Sequence, residues 1–310
     1  MTAAGPDAGA HPWHGTRAGA SVCSVYAGST IVCAVDDSDR GFAAARVAAD
    51  LSARLDRPLV GVHAVAPLPL TAAGIPHAVP PPDARAAERY EAAAGANARA
   101  VLEDAGADDA RLRTAVGAIA DVLLGVADDE DALLLVLGTT AAGALRSLLL
   151  GSVTEAVLRS ADRPVLLVPA GADGLAPGPV VAAVGGPRDA AWIPLAELLA
   201  LARGGRLVLA HILEGDAADD DPALAEAESR VEAFDPALRA LGPTEALIET
   251  RVGFGDAGNR LLQLAHASEA SVVVTGSHHH GRLHAVFLGS TARTLMRNAD
   301  VPTLVCPGRA

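Results

Sequence analysis

The chain of 310 residues contains no lysine, and all 24 of its basic residues are arginine. That excludes the lysine of a phosphate-binding P-loop, a Schiff-base lysine and a lysine general base. Aromatic residues make up only 3% of the sequence, so the 51% hydrophobic content is mostly Ala, Val and Leu. Such a composition suits an α/β protein with a core of small aliphatic side chains. Positive charge is scarce as well. The net charge of −13 argues against a nucleic-acid partner, whose phosphates require clustered Lys or Arg.

Cysteine is equally sparse. Cys23, Cys33 and Cys306 show no CxxC spacing, and the last two lie in apolar runs that read as strands. Buried thiols in a reducing compartment are the expectation. No apolar run reaches the length of a membrane span; the best candidate, 133–150, is interrupted by Arg146 and by glycines. The first 28 residues lack a charged segment followed by an apolar one, and read as a Gly/Ala-rich disordered tail rather than a signal peptide. A cytoplasmic protein is expected, with no membrane partner. No Ser/His/Asp set or pair of carboxylates occurs in a supporting context, so no catalytic machinery and no enzyme is expected.

What the sequence does have is a repeat. Residues 138–169 realign on 276–307 at a constant offset of 138 without a gap. The register matches Gly138 with Gly276, Gly143 with Gly281, Gly151-Ser152 with Gly289-Ser290, Arg159 with Arg297, Asp162 with Asp300 and Pro164 with Pro302. Such a register marks a tandem duplication. The halves are 29–171 and 179–308, joined by a linker over 172–178.

Each half alternates strand and helix signals. In the first, "TIVCAVD" over 30–36 is a strand buried on both faces. A helix follows over 38–55, capped by Ser38 or Asp39, then strands over 58–65, 111–116, 132–138 and 164–169. Helices are expected over 84–105, 119–127 and 152–161. The second half repeats this order from "PVVAAVG" to "PTLVCP", with an acidic loop over 215–221. Strict alternation predicts two Rossmann-like doubly wound domains, each a five-stranded, mainly parallel sheet flanked by helices.

The stretch "GTTAAGALRSLLLGS" over 138–152 carries the main functional signal. Gly138 ends an apolar strand, the place where open parallel sheets bind ligands. Gly151-Ser152 opens a helix, and Ser152 with Glu155 fits a capping box. A helix start with free amides and a positive dipole end is suited to anions. Three consecutive histidines, His278, His279 and His280, with His284 nearby, have no carboxylate or cysteine at ligand spacing and read as a solvated loop, so no metal site is expected. His63 and His211 read as structural, and Arg146 as either a phosphate partner or a surface residue.

The spacing of Gly138, Gly151 and Ser152, the following "VTEAVLRSADRPVLLVP" and the opening "VDDSD" over 35–39 resemble the universal stress protein family. The resemblance covers both halves. It implies bound ATP or another adenine nucleotide, with Mg2+ as its counter-ion, acting on a non-catalytic stress sensor. By the same resemblance Asp36 meets the adenine–ribose end, Ala64, just past the second strand, lines the base pocket, and Gly138 sits near the ribose. Gly151, Ser152 and Val153 hold phosphates. Gly276, Gly289 and Ser290 are the less complete counterparts in the second half. The sequence departs from the family at Ala141 and at His279, where the loop has its second glycine, and at Gly185, where the opening acid is missing. The family also implies that the halves pair with each other and that the chain dimerises. Rival readings are an interaction module with both pockets closed and a slow ATP hydrolase.

Overall fold

The computed structural model describes residues 28–65, 84–139, 152–213, 234–277 and 289–307. The first repeat runs β1 (Thr30–Ala34), α1 (Asp39–Leu55), β2 (Leu59–Val65), α2 (Ala84–Asp104), β3 (Arg111–Val116), α3 (Ile119–Asp129), β4 (Ala132–Thr139), α4 (Ser152–Ser160) and β5 (Val165–Pro169). The second runs β6 (Val180–Ala183), a 3-10 turn (Pro187–Ala191), α5 (Ile193–Ala202), β7 (Arg206–Leu213), α6 (Phe234–Leu241), β8 (Leu247–Phe254), α7 (Ala257–Ala267), β9 (Val272–Gly276), α8 (Ser290–Asn298) and β10 (Thr303–Cys306).

Long apolar runs make the strands. The first six residues of β4, Ala-Leu-Leu-Leu-Val-Leu, are all buried, which requires cover on both faces and therefore helices on both sides of the sheet. Within each repeat every pairing is parallel, with β1 between β2 and β4, and β6 between β7 and β9. The strand order is β3-β2-β1-β4-β5-β10-β9-β6-β7-β8, so the two halves run outward in opposite directions from the β5–β10 junction of one ten-stranded sheet. Among the described residues its one antiparallel pair joins β5 to β10, with Leu166 opposite Leu304. Both leucines are fully buried, and burial of each contributes about 1.5–3 kcal/mol.

One face of the sheet carries a core that runs through both repeats, from Leu51 and Leu102 through Leu166 to Leu199 and Phe234. The other face holds two clusters, one around Leu123 and Val157 and one around Leu261 and Val273. The connection between repeats is tied down rather than loose. Asp50 of α1 accepts hydrogen bonds from the Leu175 amide at 3.3 Å and from Arg54 at 2.6 Å, and lies 3.6 Å from Arg203, which follows α5. Arg46 meets Asp173 at 3.0 Å.

The outer strands are laced with charge. On β3, Arg111 and Arg113 pair with Glu130 at 2.6 and 3.5 Å. On β8, Glu249 pairs with Arg206 of β7 at 2.9 Å and with Arg251 at 3.0 Å. The hydrogen bond from Arg206 holds the Glu249 carboxyl below its ordinary range.

The expected elements differ mainly at the start of the second repeat. By sequence the segment after β6 reads as one helix reaching about 201; the chain instead makes a 3-10 turn and then α5. Pro187 opens the turn and Pro194 sits in the first turn of α5. Both prolines lack the amide that a continuous helix would use.

Candidate functional site

The site is built at the carboxyl ends of β1 and β4, neighbours in the sheet whose outward connections leave in opposite directions. Strand β1 ends at Ala34, but the Val35 amide still donates to the Val62 carbonyl at 2.9 Å. His63 of β2 clamps the same point, with Nδ1 2.9 Å from the Val35 carbonyl oxygen. A carbonyl only accepts, so that nitrogen carries the proton. Asp36 emerges next. Its Oδ1 accepts from the Ser38 amide at 3.1 Å and from the Ser38 hydroxyl. The Ser38 Oγ in turn accepts from the Gly41 amide at 3.3 Å and caps α1. This leaves Oδ2 facing Arg40 at 3.8 Å, with the Asp36 side chain 44% exposed. A pair so open to water contributes little to stability and keeps the carboxylate accessible.

Two glycines bring the walls together. A β-carbon on Gly41 would lie 2.2 Å from the Asp36 carbonyl oxygen, and one on Gly138 would lie 2.1 Å from that of Arg40. Only glycine lets the first turn of α1 settle onto both the Asp36 turn and the end of β4. Gly138 therefore has a packing duty of its own, beyond any contact with a ribose.

Ser152 is the first residue of α4 and is exposed; Val153 is half-buried behind it. The Glu155 carboxylate pairs with Arg159 one helical turn on. Ala64 lies within β2, opposite Ala115, rather than past the strand as expected. Ala141, Gly151, Arg146, Gly143 and the histidines at 278–280 and 284 lie outside the described residues.

In the second repeat Gly276 closes β9, paired with Cys306. Gly289 is the cap of α8, with Ser290 its first residue. Val184 repeats the role of Val35, its amide donating to Ala210 at 2.7 Å and its carbonyl meeting His211 Nδ1. Gly185 follows where Asp36 stands in the first repeat. Its amide, and that of Gly186, donate to Asp189 at 2.6 and 3.0 Å.

Cys33 and Cys306 flank these ends without taking part. Burial pushes the Cys33 thiol far above the ordinary thiol range, and the charge of Asp36 adds to it. Burial does the same to Cys306, helped by Asp189. Neither is a thiolate nucleophile at neutral pH. Among the described residues no group of three or more His, Cys, Asp or Glu side chains is placed to hold a metal ion, and no helix is long and apolar enough to cross a membrane. Among the described residues Mg2+ thus finds no ready-made cage, since Asp36 faces an arginine, while Ser152 is exposed at the start of α4. Sequence reasoning missed Arg40, Gly41 and Asp189. A glycine in the first turn of a helix, and an acid four residues past the missing one, were the available signals.

Comparison with known structures agrees with this architecture. A universal stress protein from Archaeoglobus fulgidus DSM 4304 superposes with a TM-score of 0.64 at 17% identity, covering 91% of this chain and 100% of its own. A Pseudomonas aeruginosa UCBPP-PA14 protein described as a universal stress protein gives 0.58 at 16% identity, with 92% and 95% covered. A universal stress protein in complex with cAMP is 28% identical over 46% of this chain and 97% of its own, with a TM-score of 0.34. The sequence model of the Universal stress protein family matches residues 29–169 and again 179–307. The chain belongs to the universal stress protein family, as a tandem member with two such domains.

Proposed function

We propose that the first repeat binds an adenine nucleotide, ATP in the first instance, and that the protein acts as a cytoplasmic, non-catalytic stress sensor whose conformation or assembly responds to that ligand. One observation carries this reading: the half-exposed Asp36 carboxylate stands past the end of β1, beside β4, where Gly138 lets the first turn of α1 close against that strand. Asp36 accepts hydrogen bonds from ribose hydroxyls, Ala64 borders the base, and the amide of Val153 with the Ser152 hydroxyl holds phosphate oxygens. Gly151 and Ala141 complete the loop. Mg2+ accompanies the phosphates as part of the ligand. The pairing of the repeats through β5 and β10 belongs to the same reading, as does a homodimer of whole chains.

Ligand that binds only the folded form stabilises it by about 2.7 kcal/mol at a hundredfold excess over the dissociation constant. Calorimetric titration with ATP, alongside a thermal-shift series, tests the proposal. Heat of binding and a concentration-dependent rise in melting temperature are expected, with no ADP released above the buffer rate. No heat and no shift would overturn it in favour of an assembly module. ADP formation abolished by Ser152→Ala would favour a hydrolase.

A further inference from the structure

The two repeats meet about a pseudo-twofold axis. From the second half of α1 into β2, residues correspond to those of α5 and β7 at a constant shift of 148. The Arg57 amide donates to the Ser52 carbonyl at 3.1 Å as the Gly205 amide does to that of Ala200 at 2.7 Å, and His211 repeats the clamp of His63. At the strand junction Leu166 faces Leu304, its own counterpart at the repeat offset of 138. Between the helices Arg54 Nη1 reaches the carbonyl of Ala202, again its own counterpart, at 3.5 Å. Equivalent positions therefore meet each other, as in a twofold dimer.

The charges do not obey this symmetry. Asp50 lies 3.6 Å from Arg203, whose side chain is 7% exposed. The same shift puts Leu198 at the place of Asp50, and Leu55 at that of Arg203. Both leucines are partly buried against the core that the repeats share. One side of the axis thus carries an ion pair where the other carries two apolar positions. Arg203 depends on this arrangement. Its Nε is buried without a hydrogen-bond partner, and among the described residues Asp50 is the one carboxylate within ion-pair distance. Burial and the charge of Arg54 lower the pKa of Arg203, and Asp50 raises it.

Two chains have another way to cover β5 and β10: first repeat against first, and second against second. Twofold pairing of first repeats sets Asp50 opposite Leu55, and Arg54 against the same residue of the other chain. Pairing of second repeats sets Arg203 opposite Leu198, a buried cation with no acid. A buried charge stripped of its partner is strongly unfavourable, and such mismatches reject a wrong partner as effectively as attraction selects the right one. We propose that Asp50, Arg54 and Arg203 form a pairing code: they fit the first repeat to the second and reject pairing between like repeats of two copies of this chain.

A disulfide reporter in the full chain tests the code. In a background without the native thiols (Cys23→Ser, Cys33→Ala, Cys306→Ala), Leu166→Cys has no thiol opposite it when β5 meets β10. It faces its own copy when two first repeats pair. After refolding at high protein concentration with oxidised glutathione, this chain is expected to show no interchain disulfide on a non-reducing gel. Adding Arg54→Ala, Leu55→Arg and Arg203→Leu places both halves of the ion pair on the first repeat, and most chains are then expected to run as disulfide-linked dimers. Interchain linkage of the chain with the native code, or none of the recoded chain, would overturn the proposal. Should the recoded chain fail to refold, Asp50→Leu with Arg54→Ala and Arg203→Leu, which removes all three charges, decides the matter. Linkage above the native level is expected there; linkage equal to it would overturn the proposal. The reporter is blind to a homodimer formed through any other surface.

Discussion

The first repeat opens its site with an acid that points outward, and the second ends the corresponding strand in a pair of glycines held by an acid from downstream. Everything beneath these ends is shared: the order of the strands, the histidine bonded to the carbonyl after the first strand, and the glycine at the end of the fourth. A duplicated chain thereby separates two kinds of feature. Those required by folding occur in both copies, as His63 and His211 do. Asp36 occurs in one copy, so the fold does not need it. Gly138 and Gly276 occur in both, in keeping with the packing duty observed at Gly138.

The comparison can be broken most forcefully at the seam that both repeats share. Leu166→Ala and Leu304→Ala each remove a fully buried side chain from facing strands, and each is expected to cost about 2–5 kcal/mol. Denaturant unfolding should give the two variants equal losses within about 1 kcal/mol, since they line one core; a much larger loss on one side would mean that one repeat supports the other. Gly138→Ala comes next. Its β-carbon meets the backbone of α1, and the overpacking is expected to cost about 1–3 kcal/mol, with weaker ATP binding as α1 is pushed away. Unchanged stability in a thermal melt would mean that α1 gives way freely.

Asp36→Asn sharpens the contrast at less cost. Folding should be unaffected within about 0.5 kcal/mol because the side chain is exposed, while ATP affinity falls about tenfold, the effect of losing a charged hydrogen-bond acceptor. A stability loss without an affinity loss would make Asp36 structural. The smallest effect is a pH dependence at the outer edge of the second repeat. Arg206 holds the Glu249 carboxyl below its ordinary value, so its contribution is complete above the unfolded-state pKa and disappears as pH falls through the lower folded one. Exposed pairs of this kind contribute up to about 1 kcal/mol. Glu249→Gln should flatten that part of the stability profile, measured by urea unfolding across the acid range; no change in slope would remove Glu249 from the account.

Much of the fold was legible because its signals are local and repeated. The apolar runs of β1, β4 and β9, and the Gly-Ser pairs before α4 and α8, gave the doubly wound alternation and the position of the switch points. The joining of β5 to β10 was not legible. Both are short, wholly buried strands, and neither carries an alternation that names its neighbour. The helix start at Ser152 was read where it stands, from the Gly-Ser pair. Asp189, by contrast, escaped notice. The sequence places it four residues from the missing acid, and only the turn opened by Pro187 folds it back.

The charged outer strands have a consequence for solubility. Among the described residues the sheet ends in β3 and β8 with no further strand beyond them, and a chain this rich in Val, Leu and Ala could add strands from its neighbours at such borders. Arg111 and Arg113 on one border, and Glu249 and Arg251 on the other, would each have to be stripped of water or set against their own kind by an incoming copy. Charge at the borders thus opposes edge-to-edge growth of the aliphatic sheet.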